Sequence, residues 1–216
     1  MKRINLGRTN EKVSAISLGA WSHGKENTSG GSSVGWANQS DIDSKEALLK
    51  AYSLDINHWD TADVYGEGHS EKIIGSMWSE IPRKNIFLAT KVGWDMGGHS
   101  YWYNPQYMKV KMENSLKNLN TDCVDLMYLH HCNFGKNNEF FDDAIDVILR
   151  FKEEGKTRFI GLSDWSSNRI LKYIEKMDPD VVQPLYNVYD TEYVTSGLKK
   201  YVKSNNIGVC YFSPIK

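Results

Sequence analysis

The chain has 216 residues, 40% of them hydrophobic, which is enough for one domain with a large core but too little for two domains of full size. The 26 Lys and Arg residues balance 27 Asp and Glu residues, and the formal net charge of −1 gives no electrostatic argument for a nucleic acid or an anionic membrane surface as partner. We therefore predict a single domain over residues 1–216 with neither of these partners.

The sequence carries no sign of export or membrane insertion. Its longest apolar stretches are far shorter than a membrane span, and its first residues, MKRINLG, contain no apolar signal-peptide core. The cysteines Cys123, Cys132 and Cys210 are odd in number and widely spaced, as expected for reduced thiols. These features predict a cytoplasmic protein and do not indicate its oligomeric state.

Strand-like and helix-like segments alternate along the chain. The first 14 residues read as a short hairpin that could cap one end of a barrel. Apolar β-like runs follow at 15–21, 56–62, 85–93, 123–130, 157–164, 180–187 and 207–214. These runs are apolar almost throughout, which is typical of parallel strands that are buried on both faces.

The segments between the runs have helical patterns and helix-end signals. Asn104 and Pro105 suit a helix N-cap followed by proline at the first helical position, and Ser166 and Ser167 precede another apolar stripe. Gly155 suits a helix end. The alternation predicts parallel βαβ units, and at this point both a doubly wound open sheet and an eight-fold barrel remain possible.

Polar residues cluster where the predicted strands end. Asp60 and Tyr65 follow the second run, Lys91 ends the third and His130 ends the fourth. Further polar residues lie at or near the ends of the last three runs, namely Ser163, Asp164, Gln183 and Ser213. The carboxyl ends of parallel strands open onto one face of an α/β protein, so we expect these side chains to converge on an active site.

The first four of these residues together suit a proton donor that works at neutral pH. A free tyrosine titrates near ~10, and we expect the ammonium of Lys91 to lower the pKa of Tyr65. Asp60 could hold Lys91 by a charge-assisted hydrogen bond, and His130 could orient a substrate oxygen or share the proton. Carbonyl reduction needs such a donor, with hydride arriving on carbon from a cofactor.

Two other motifs, a dinucleotide-binding fingerprint and a zinc site, are incomplete in this sequence. The sequence GEGHSE at 66–71 begins like a dinucleotide fingerprint, but Glu71 stands at the third glycine position. His130, His131 and Cys132 invite a zinc site, but neighbouring residues on a strand point to opposite faces and no spaced Cys or His pair completes the ligands. We therefore predict neither a Rossmann fold nor a metal.

Aromatic residues in the loop at 94–104 indicate a substrate pocket. Trp94 and Trp102 lie in this loop together with Tyr101 and Tyr103. We expect this loop to shape the pocket and to favour a hydrophobic or planar carbonyl compound.

With these residues identified, the chain resembles the aldo-keto reductase family. The stretch WDTADVYGEGHSEKIIG (59–75) is similar to the family's Asp-Thr-Ala-x-x-Tyr-Gly signature, and MENSLKNLNTDCVDLMYLHHCN (112–133) is similar to its second signature. LATKVG (88–93) carries the family lysine, and EEGKTRFIGLSDWS (153–166) is similar to the segment entering the fifth strand. The details look closest to the bacterial and potassium-channel β-subunit-like branch.

The resemblance implies a (β/α)8 TIM barrel and NADPH-dependent reduction of an aldehyde or ketone. It implies that Tyr65 is the general acid, that Lys91 and Asp60 tune it, and that His130 lies beside the carbonyl oxygen. It implies that Phe212 stacks on the nicotinamide ring and that Trp21 is a pocket residue. The full set of cofactor contacts implied is Asp60, Ser163, Asp164, Gln183, Phe212 and Ser213.

Three residues depart from the family pattern. Asp164 stands where asparagine is usual, and a carboxylate can only accept hydrogen bonds, whereas an amide also donates. Phe212 stands where tyrosine is common, although stacking needs only the ring. Asp55 replaces a frequent glycine at a helix end, which we expect aspartate to tolerate in the left-handed conformation.

The number of strands is the larger departure. A (β/α)8 barrel typically needs about 250 residues, and we count seven β-like runs, so we expect seven of eight strands. We therefore expect the eighth strand, and the region that binds the cofactor phosphates in the family, to lie outside these 216 residues. The alternatives to a reductase are therefore a non-catalytic or regulatory module of this fold and an inactive fragment.

Overall fold

A computed structural model describes residues 1–29, 32–33, 35–95 and 98–215. The chain opens with an antiparallel hairpin of β1 (Arg3–Asn5) and β2 (Lys12–Ser14), in which Ile4 lies opposite Val13. The turn between the strands contains a 3-10 helix at Gly7–Thr9. The hairpin predicted for the first 14 residues is confirmed.

The remaining elements alternate as the sequence predicts. In chain order they are β3 (Leu18–Gly19), β4 (Thr28–Ser29), β5 (Ser32–Ser33), α1 (Asp41–Ser53), β6 (His58–Asp60), α2 (His69–Gly75), β7 (Phe87–Val92), α3 (Pro105–Asn118), β8 (Val124–Leu129), α4 (Phe141–Glu153), β9 (Thr157–Asp164), α5 (Ser167–Met177), β10 (Val181–Pro184), α6 (Glu192–Thr195), α7 (Leu198–Ser204) and β11 (Gly208–Val209). Further 3-10 helices lie at Trp21–Gly24, Ser76–Ser79 and Arg83–Asn85. None of the helices in the described ranges is both long and apolar enough to cross a lipid bilayer.

Seven strands form one sheet in the order β11-β10-β9-β8-β7-β6-β3. Every neighbouring pair in this sheet is parallel. The predicted run 157–164 coincides with β9, whereas the first and last predicted runs contain only two strand residues each. The outer strands β3 and β11 are short because, in the part of the chain described, each has a strand neighbour on one side only.

Side-chain and backbone signals fix the helix ends. The Asn104 side chain accepts hydrogen bonds from the backbone N–H groups of Gln106 and Tyr107 at 3.1 and 3.2 Å, which satisfies two free donors of α3, and Pro105 at the first position has no N–H to satisfy. The Ser166 side chain caps α5 in the same way. After α1, Asp55 takes the left-handed conformation with φ of 62°, as expected for its place in a glycine position.

Contacts across the interior show that the sheet is curled into a barrel-like form. Four strand spacings separate β6 from β10, which would be about 19 Å in a flat sheet. Yet the Gln183 side chain in β10 donates to the Asp60 carboxylate in β6 at 2.9 Å. Beside the outer strands, the hydroxyl of Ser17 lies 3.5 Å from the thiol of Cys210. These contacts exclude the doubly wound open sheet and leave the barrel, with seven strands.

The hairpin closes the amino-terminal end of the curled sheet. Leu6 and Val13 of the hairpin region belong to a buried cluster with residues from three strands. The strand residues in this cluster are Phe87, Ala89, Leu126, Tyr128 and Val181. The larger cluster lies between the sheet and the helices around it. The plugged end leaves the carboxyl ends of the strands as the face on which a cavity opens.

Candidate active site

Successive strand ends bring the four predicted residues together. Asp60 is the last residue of β6, Lys91 is the last but one of β7, and His130 directly follows β8. Tyr65 lies in the loop between β6 and α2. The four side chains meet because their strands are adjacent, parallel and end at the same face.

Lys91 lies at the centre of this group. Only 2% of its surface is exposed, and its ammonium donates hydrogen bonds to the Asp60 carboxylate and to the Thr61 carbonyl, the latter at 2.9 Å. The nitrogen is 5.3 Å from the centre of the Tyr65 ring. Burial opposes the charge of Lys91, but Asp60 and Tyr65 outweigh this effect and raise the pKa of the ammonium. Lys91 is therefore a buried cation at neutral pH.

The expected lowering of the Tyr65 pKa is wrong for the protein in this structure. Burial disfavours the phenolate and raises the pKa of Tyr65, and it outweighs the opposing charge and hydrogen bond of Lys91. The nearby carboxylate of Asp60 also raises this pKa. Tyr65 is consequently held as the protonated phenol, which is the state a proton donor requires.

His130 is neutral in this environment. Burial, the neighbouring His131 and the charge of Lys91 lower the pKa of His130 well below its ordinary value. Its Nδ1 atom is buried and has no hydrogen-bond partner among the described residues. The ring lies edge-on to Tyr65, with centroids 5.8 Å apart. A neutral imidazole here can orient an oxygen through a hydrogen bond, but it cannot serve as the proton source.

His131 follows His130 directly, and strand alternation predicts that the two side chains point to opposite faces. Its ring instead stacks on His130 with centroids 4.9 Å apart and an interplanar angle of 16°. The alternation of a strand does not apply because β8 ends at Leu129, before either histidine. Trp94 contacts both imidazoles, at 4.9 and 4.7 Å between ring centroids.

The loop that carries Tyr65 is fixed from both sides. The Ser70 hydroxyl lies 2.9 Å from the Thr61 hydroxyl and donates to the Ala20 carbonyl at 2.8 Å. Gly66 has φ of 62°, and a Cβ atom at this position would collide with the carbonyl oxygen of Gly24. The two backbone segments can approach this closely only because residue 66 is glycine, and this contact fixes the loop directly after Tyr65.

A second buried carboxyl group, that of Glu71, supports the same loop. In the sequence, Glu71 is notable only because it stands where a dinucleotide fingerprint would have its third glycine. Glu71 accepts hydrogen bonds from the Thr90 hydroxyl at 2.8 Å and the Asn118 amide at 3.2 Å. Burial and the nearby Asp63 raise the pKa of Glu71 to about 7. The signal that could have found it is its position after Ser70, in the helix that follows the tyrosine loop.

The predicted cofactor residues form a connected polar chain on the other side of Asp60. Gln183 donates to Asp60 and accepts from the Ser163 hydroxyl at 3.4 Å. The Asp164 carboxylate already accepts from the backbone N–H groups of Cys132 at 2.8 Å and Ser166 at 2.7 Å. Asp164 also pairs with the Arg169 guanidinium at 3.2 Å.

Asp164 therefore works as an acceptor for this chain's own donors, which is a use that a carboxylate serves well. The aspartate that stands in place of asparagine is thus explained by the two backbone N–H groups and the guanidinium that its carboxylate binds. Phe212 lies further along the same side and is partly exposed, with its ring edge-on to Trp165 at 4.8 Å between centroids.

A cavity of about 780 Å³ opens over these groups. Ten of the predicted site residues line it, namely Trp21, Asp60, Tyr65, Trp94, His130, Ser163, Asp164, Gln183, Phe212 and Ser213. Lys91 lies beneath the cavity rather than on its wall. The volume is in the range of small-molecule pockets, roughly 300–1,000 Å³.

Trp102 is not brought to this cavity. Its indole N–H donates to the Asn133 carbonyl at 3.1 Å, and its ring packs on Tyr101 with centroids 4.3 Å apart. The predicted pocket loop also includes residues 96 and 97, which lie outside the described residues. Sequence reasoning missed Trp36 and Trp165, which line the cavity from segments with no periodic pattern.

The lining suits the amide and ring of a nicotinamide better than it suits phosphate groups. Ser163 and Gln183 offer hydrogen-bonding groups in the cavity that Tyr65 also lines, and Phe212 offers a partly exposed ring. Among the described residues, neither lysine nor arginine lines the cavity. The residues present therefore fit the reactive end of a nicotinamide cofactor, while the described lining offers no cationic side chain to its phosphates.

The sequence matches one family of known proteins. Residues 15–216 match the model of the aldo/keto reductase family. L-galactose dehydrogenase of Arabidopsis thaliana is 30% identical over 217 residues, covering 97% of this chain and 64% of that protein. NADH-specific methylglyoxal reductase of Escherichia coli is 28% identical over 231 residues, covering 100% of this chain and 68% of that protein. A probable voltage-gated potassium channel subunit beta of Oryza sativa is 27% identical over 225 residues, covering 100% of this chain and 64% of that protein.

Solved structures show the same similarity. The holo form of an aldo-keto reductase from Bacillus halodurans has a TM-score of 0.80 at 26% identity, covering 98% of this chain and 65% of that chain. A thermostable aldo-keto reductase in complex with the inhibitor epalrestat has a TM-score of 0.79 at 28% identity, covering 97% of this chain and 71% of that chain. The chain spans just under two thirds of the length of the Arabidopsis relative, at 64%.

Proposed function

The chain belongs to the aldo/keto reductase family, and we propose that it reduces an aldehyde or ketone to the alcohol, with Tyr65 as the proton donor and NADPH as the source of hydride. The observation that carries this proposal is the contact of a buried Lys91–Asp60 pair with a protonated Tyr65 at the rim of the cavity. This arrangement supplies a proton and stabilises the anion left behind, which is what carbonyl reduction requires.

Tyr65 gives its proton to the carbonyl oxygen as negative charge develops there. In the resting protein, burial keeps the phenol protonated, so the acid is present at neutral pH. When the proton leaves, the phenolate is stabilised by the ammonium of Lys91, which is already in place and needs no rearrangement. Asp60 holds Lys91 and keeps its charge from being lost to burial.

His130 orients the substrate oxygen in this proposal. Its pKa is lowered by burial and by the neighbouring His131 and Lys91, so the ring stays neutral and can donate one hydrogen bond. The contact with Trp94 keeps the ring edge-on to Tyr65. His130 and Tyr65 would then bind the same oxygen from two directions.

A nicotinamide cofactor would supply the hydride when bound. Ser163 and Gln183 would hold its amide, and Phe212 would cover one face of its ring. Asp164 takes part through Cys132 and Ser166, whose backbone it positions. The choice of NADPH comes from the family as a whole, and one relative of this chain is named as NADH-specific, so both forms belong in the test.

The test is a fluorescence titration of the purified chain with NADPH and with NADH, followed by a carbonyl screen on the chain and on Tyr65→Phe. We expect saturable binding of a nicotinamide cofactor, and the two dissociation constants decide between NADPH and NADH. We expect Tyr65→Phe to lower kcat by about 10²–10⁴-fold, because the proton donor is removed, and to leave the cofactor Kd within about twofold.

Tyr52→Phe is the matched control, because it removes a hydroxyl on α1 that donates nothing to the cavity. Its kcat should equal that of the unchanged chain. Retained turnover in Tyr65→Phe, or an equal loss in Tyr52→Phe, would overturn the role of Tyr65.

A second candidate is a non-catalytic binding module. It is favoured by the lack of lysine and arginine along the described cavity lining and by the similarity to a probable potassium channel subunit beta. A folded chain that binds a nicotinamide cofactor but transfers no hydride to any carbonyl compound would support this candidate over the reductase.

A further inference from the structure

The turn that follows β8 places two histidine rings on the same side of the chain. β8 ends at Leu129, and the imidazoles of His130 and His131 lie nearly parallel, with an interplanar angle of 16°. A strand that continued through these two residues would send their side chains to opposite faces. The backbone is therefore held in a turn here, and its N–H and C=O groups need partners other than a neighbouring strand.

A single hydroxyl group binds the backbone of His131. The His131 N–H donates to the Tyr103 hydroxyl at 3.1 Å, and this hydroxyl donates to the His131 carbonyl. The preceding residue is still paired with a strand, because the His130 N–H donates to the Val92 carbonyl of β7 at 2.8 Å. The side chain of Tyr103 thus binds the backbone at the point where the pairing of β8 with β7 stops.

The Tyr103 side chain is itself held firmly in place. It is 0% exposed, and its ring stacks on Phe134 with centroids 4.9 Å apart. On the Gly93 side, a Cβ atom would lie 2.2 Å from the Tyr103 ring, so only glycine permits this close approach. Burial raises the pKa of Tyr103 well above its ordinary value, so the hydroxyl keeps the proton that it donates to His131.

Tyr103 lies behind the groups that face the cavity and does not line the cavity itself. Its ring packs against Gly93, the residue before Trp94, and its hydroxyl binds the residue after His130. The Trp94 ring contacts both imidazoles, that of His130 at 4.9 Å and that of His131 at 4.7 Å between centroids. One buried side chain therefore supports the ends of both β7 and β8.

We propose that Tyr103 is a positioning residue, whose hydroxyl holds the turn after β8 so that the His130 ring faces the cavity edge-on to Tyr65. Its effect on turnover rests on the proposed function, in which His130 orients the substrate oxygen. Tyr103 acts only through the backbone of His131. Without the hydroxyl, the N–H and C=O of His131 lose the partner that they have among the described residues, and the turn shifts to find others.

The test compares Tyr103→Phe with a matched control, Tyr173→Phe, in the full 216-residue chain. Each substitution removes one hydroxyl from a buried tyrosine and keeps the ring. The Tyr173 ring also contacts Phe134, at 4.8 Å between centroids, but its hydroxyl donates to the Asn138 side chain rather than to the turn. Circular dichroism and urea unfolding check that both variants are folded.

The first readout is ¹⁵N NMR of the imidazole nitrogens at pH 7, which reports the tautomer and surroundings of each ring without any substrate. His130→Gln and His131→Gln identify their signals among those of the six histidines. We expect Tyr103→Phe to move the signals of both rings and Tyr173→Phe to leave them in place. Signals that stay in place in a folded Tyr103→Phe, or that move equally in both variants, would overturn the proposal.

The second readout is turnover of a carbonyl substrate with the cofactor that binds. Tyr103→Phe should lower kcat by about 10–10²-fold, because a small displacement of a group that orients the substrate is costly, and should leave the cofactor Kd within about twofold. Tyr173→Phe should leave kcat unchanged. A Tyr103→Phe chain that loses only stability to urea and keeps its kcat would show a merely structural role and overturn the proposal.

The NMR readout separates this inference from the proposed function. If the unchanged chain transfers no hydride but Tyr103→Phe moves the His130 signals, the reductase assignment fails and the action of Tyr103 on the turn stands. If Tyr103→Phe does not fold, hydrogen exchange of the His131 amide in the unchanged chain decides. We expect protection like that of the β8 amides, and exchange as fast as in an exposed loop would contradict the proposal.

Discussion

At the scale of single residues, the proposed proton donor is governed by a balance between burial and charge. Burial raises the pKa of Tyr65, while Lys91 acts in the opposite direction and loses in the resting protein. The same burial would make Lys91 costly as a cation if the Asp60 carboxylate did not pair with it. Tyr65, Lys91 and Asp60 therefore form one unit in which the loss of any member changes the others.

The first residue-scale prediction concerns this ion pair. Lys91→Met leaves the Asp60 carboxylate, whose side chain is 13% exposed, without its cation, and we expect the free energy of unfolding to fall by about 3–5 kcal/mol. The double variant Asp60→Asn with Lys91→Met removes both charges and should recover a large part of that loss. Urea unfolding of the two variants provides the measurement.

Turnover should not recover in the double variant, because the cation that stabilises the phenolate is still missing. A double variant that is as unstable as Lys91→Met would show that the lysine stem, rather than the pairing of charges, carries the stability. Recovery of turnover in the double variant would contradict the role of Lys91 in the proposed mechanism.

At the scale of elements, the loop from β6 to α2 and the helix α2 act as the platform of the site. Glu71 in α2 is 1% exposed and binds Thr90 of β7 and Asn118 of α3, so it connects three elements beneath Tyr65. The nearby carboxyl group of Asp63 adds to the effect of burial in raising the pKa of Glu71, and the pKa of Asp63 is itself raised by burial. Burial thus raises the pKa of both carboxyl groups, and the Lys111 ammonium, 3.3 Å from Asp63, opposes the shift of Asp63.

This platform should make stability depend on pH. The pKa of Glu71 is about 7 in the folded protein and 4.5 ordinarily, so between these values the folded state binds more protons than the unfolded state. The contribution of Glu71 to stability is therefore full below about pH 4.5 and is lost as pH rises through 7, at a cost of up to about 3 kcal/mol.

Glu71→Gln removes the charge and keeps one oxygen that accepts the hydrogen bond from Thr90, so at pH 8 it should be more stable than the unchanged chain by up to about 3 kcal/mol. At pH 4.5 the two should be nearly equal. Urea unfolding at the two pH values measures the difference, and Glu67→Gln, an exposed glutamate of the same loop, serves as the control. A pH-independent difference for Glu71→Gln would show that the pKa of Glu71 is the same in the folded and the unfolded protein.

The central elements were the ones that sequence patterns predicted best. Strand β9 has the predicted limits and β7 and β8 nearly so, because a strand that is buried on both faces has a long apolar run. The outer strands β3 and β11 are much shorter than predicted, since an apolar run becomes a strand only along the length over which a neighbour pairs with it. The N-caps at Asn104 and Ser166 were predictable because capping depends on residues only two or three positions away.

At the scale of the whole molecule, the curled sheet has two outer edges. In the part of the chain described, neither β3 nor β11 pairs with a further strand, and Ile16, beside β3, is 59% exposed and lines the cavity. Unpaired strand edges next to exposed apolar side chains are sites of association between molecules. We therefore expect self-association of this chain to depend on the unpaired edges of β3 and β11.

Ile16→Lys should reduce this self-association by placing a charge beside the open edge. Light scattering over a range of concentrations gives the measurement, and we expect a lower average mass for Ile16→Lys than for the unchanged chain. Ile42→Lys is the matched control, because Ile42 is 71% exposed on α1, away from the edge. An equal effect of both substitutions would mean that added charge in general, rather than the edge, controls association.

The sequence by itself determined the alternation of strands and helices, the capping hairpin and the placing of Asp60, Tyr65, Lys91 and His130 near strand ends. These features follow from periodicity and local signals, which act over a few residues. Other features depend on residues far apart in the chain and are seen only in the tertiary structure. These are the curl of the sheet that brings Gln183 to Asp60, the effect of burial over charge that keeps Tyr65 protonated, and the position of Trp36 on the cavity. Burial and ring contacts exist only once distant segments have come together, and no pattern along the chain encodes them.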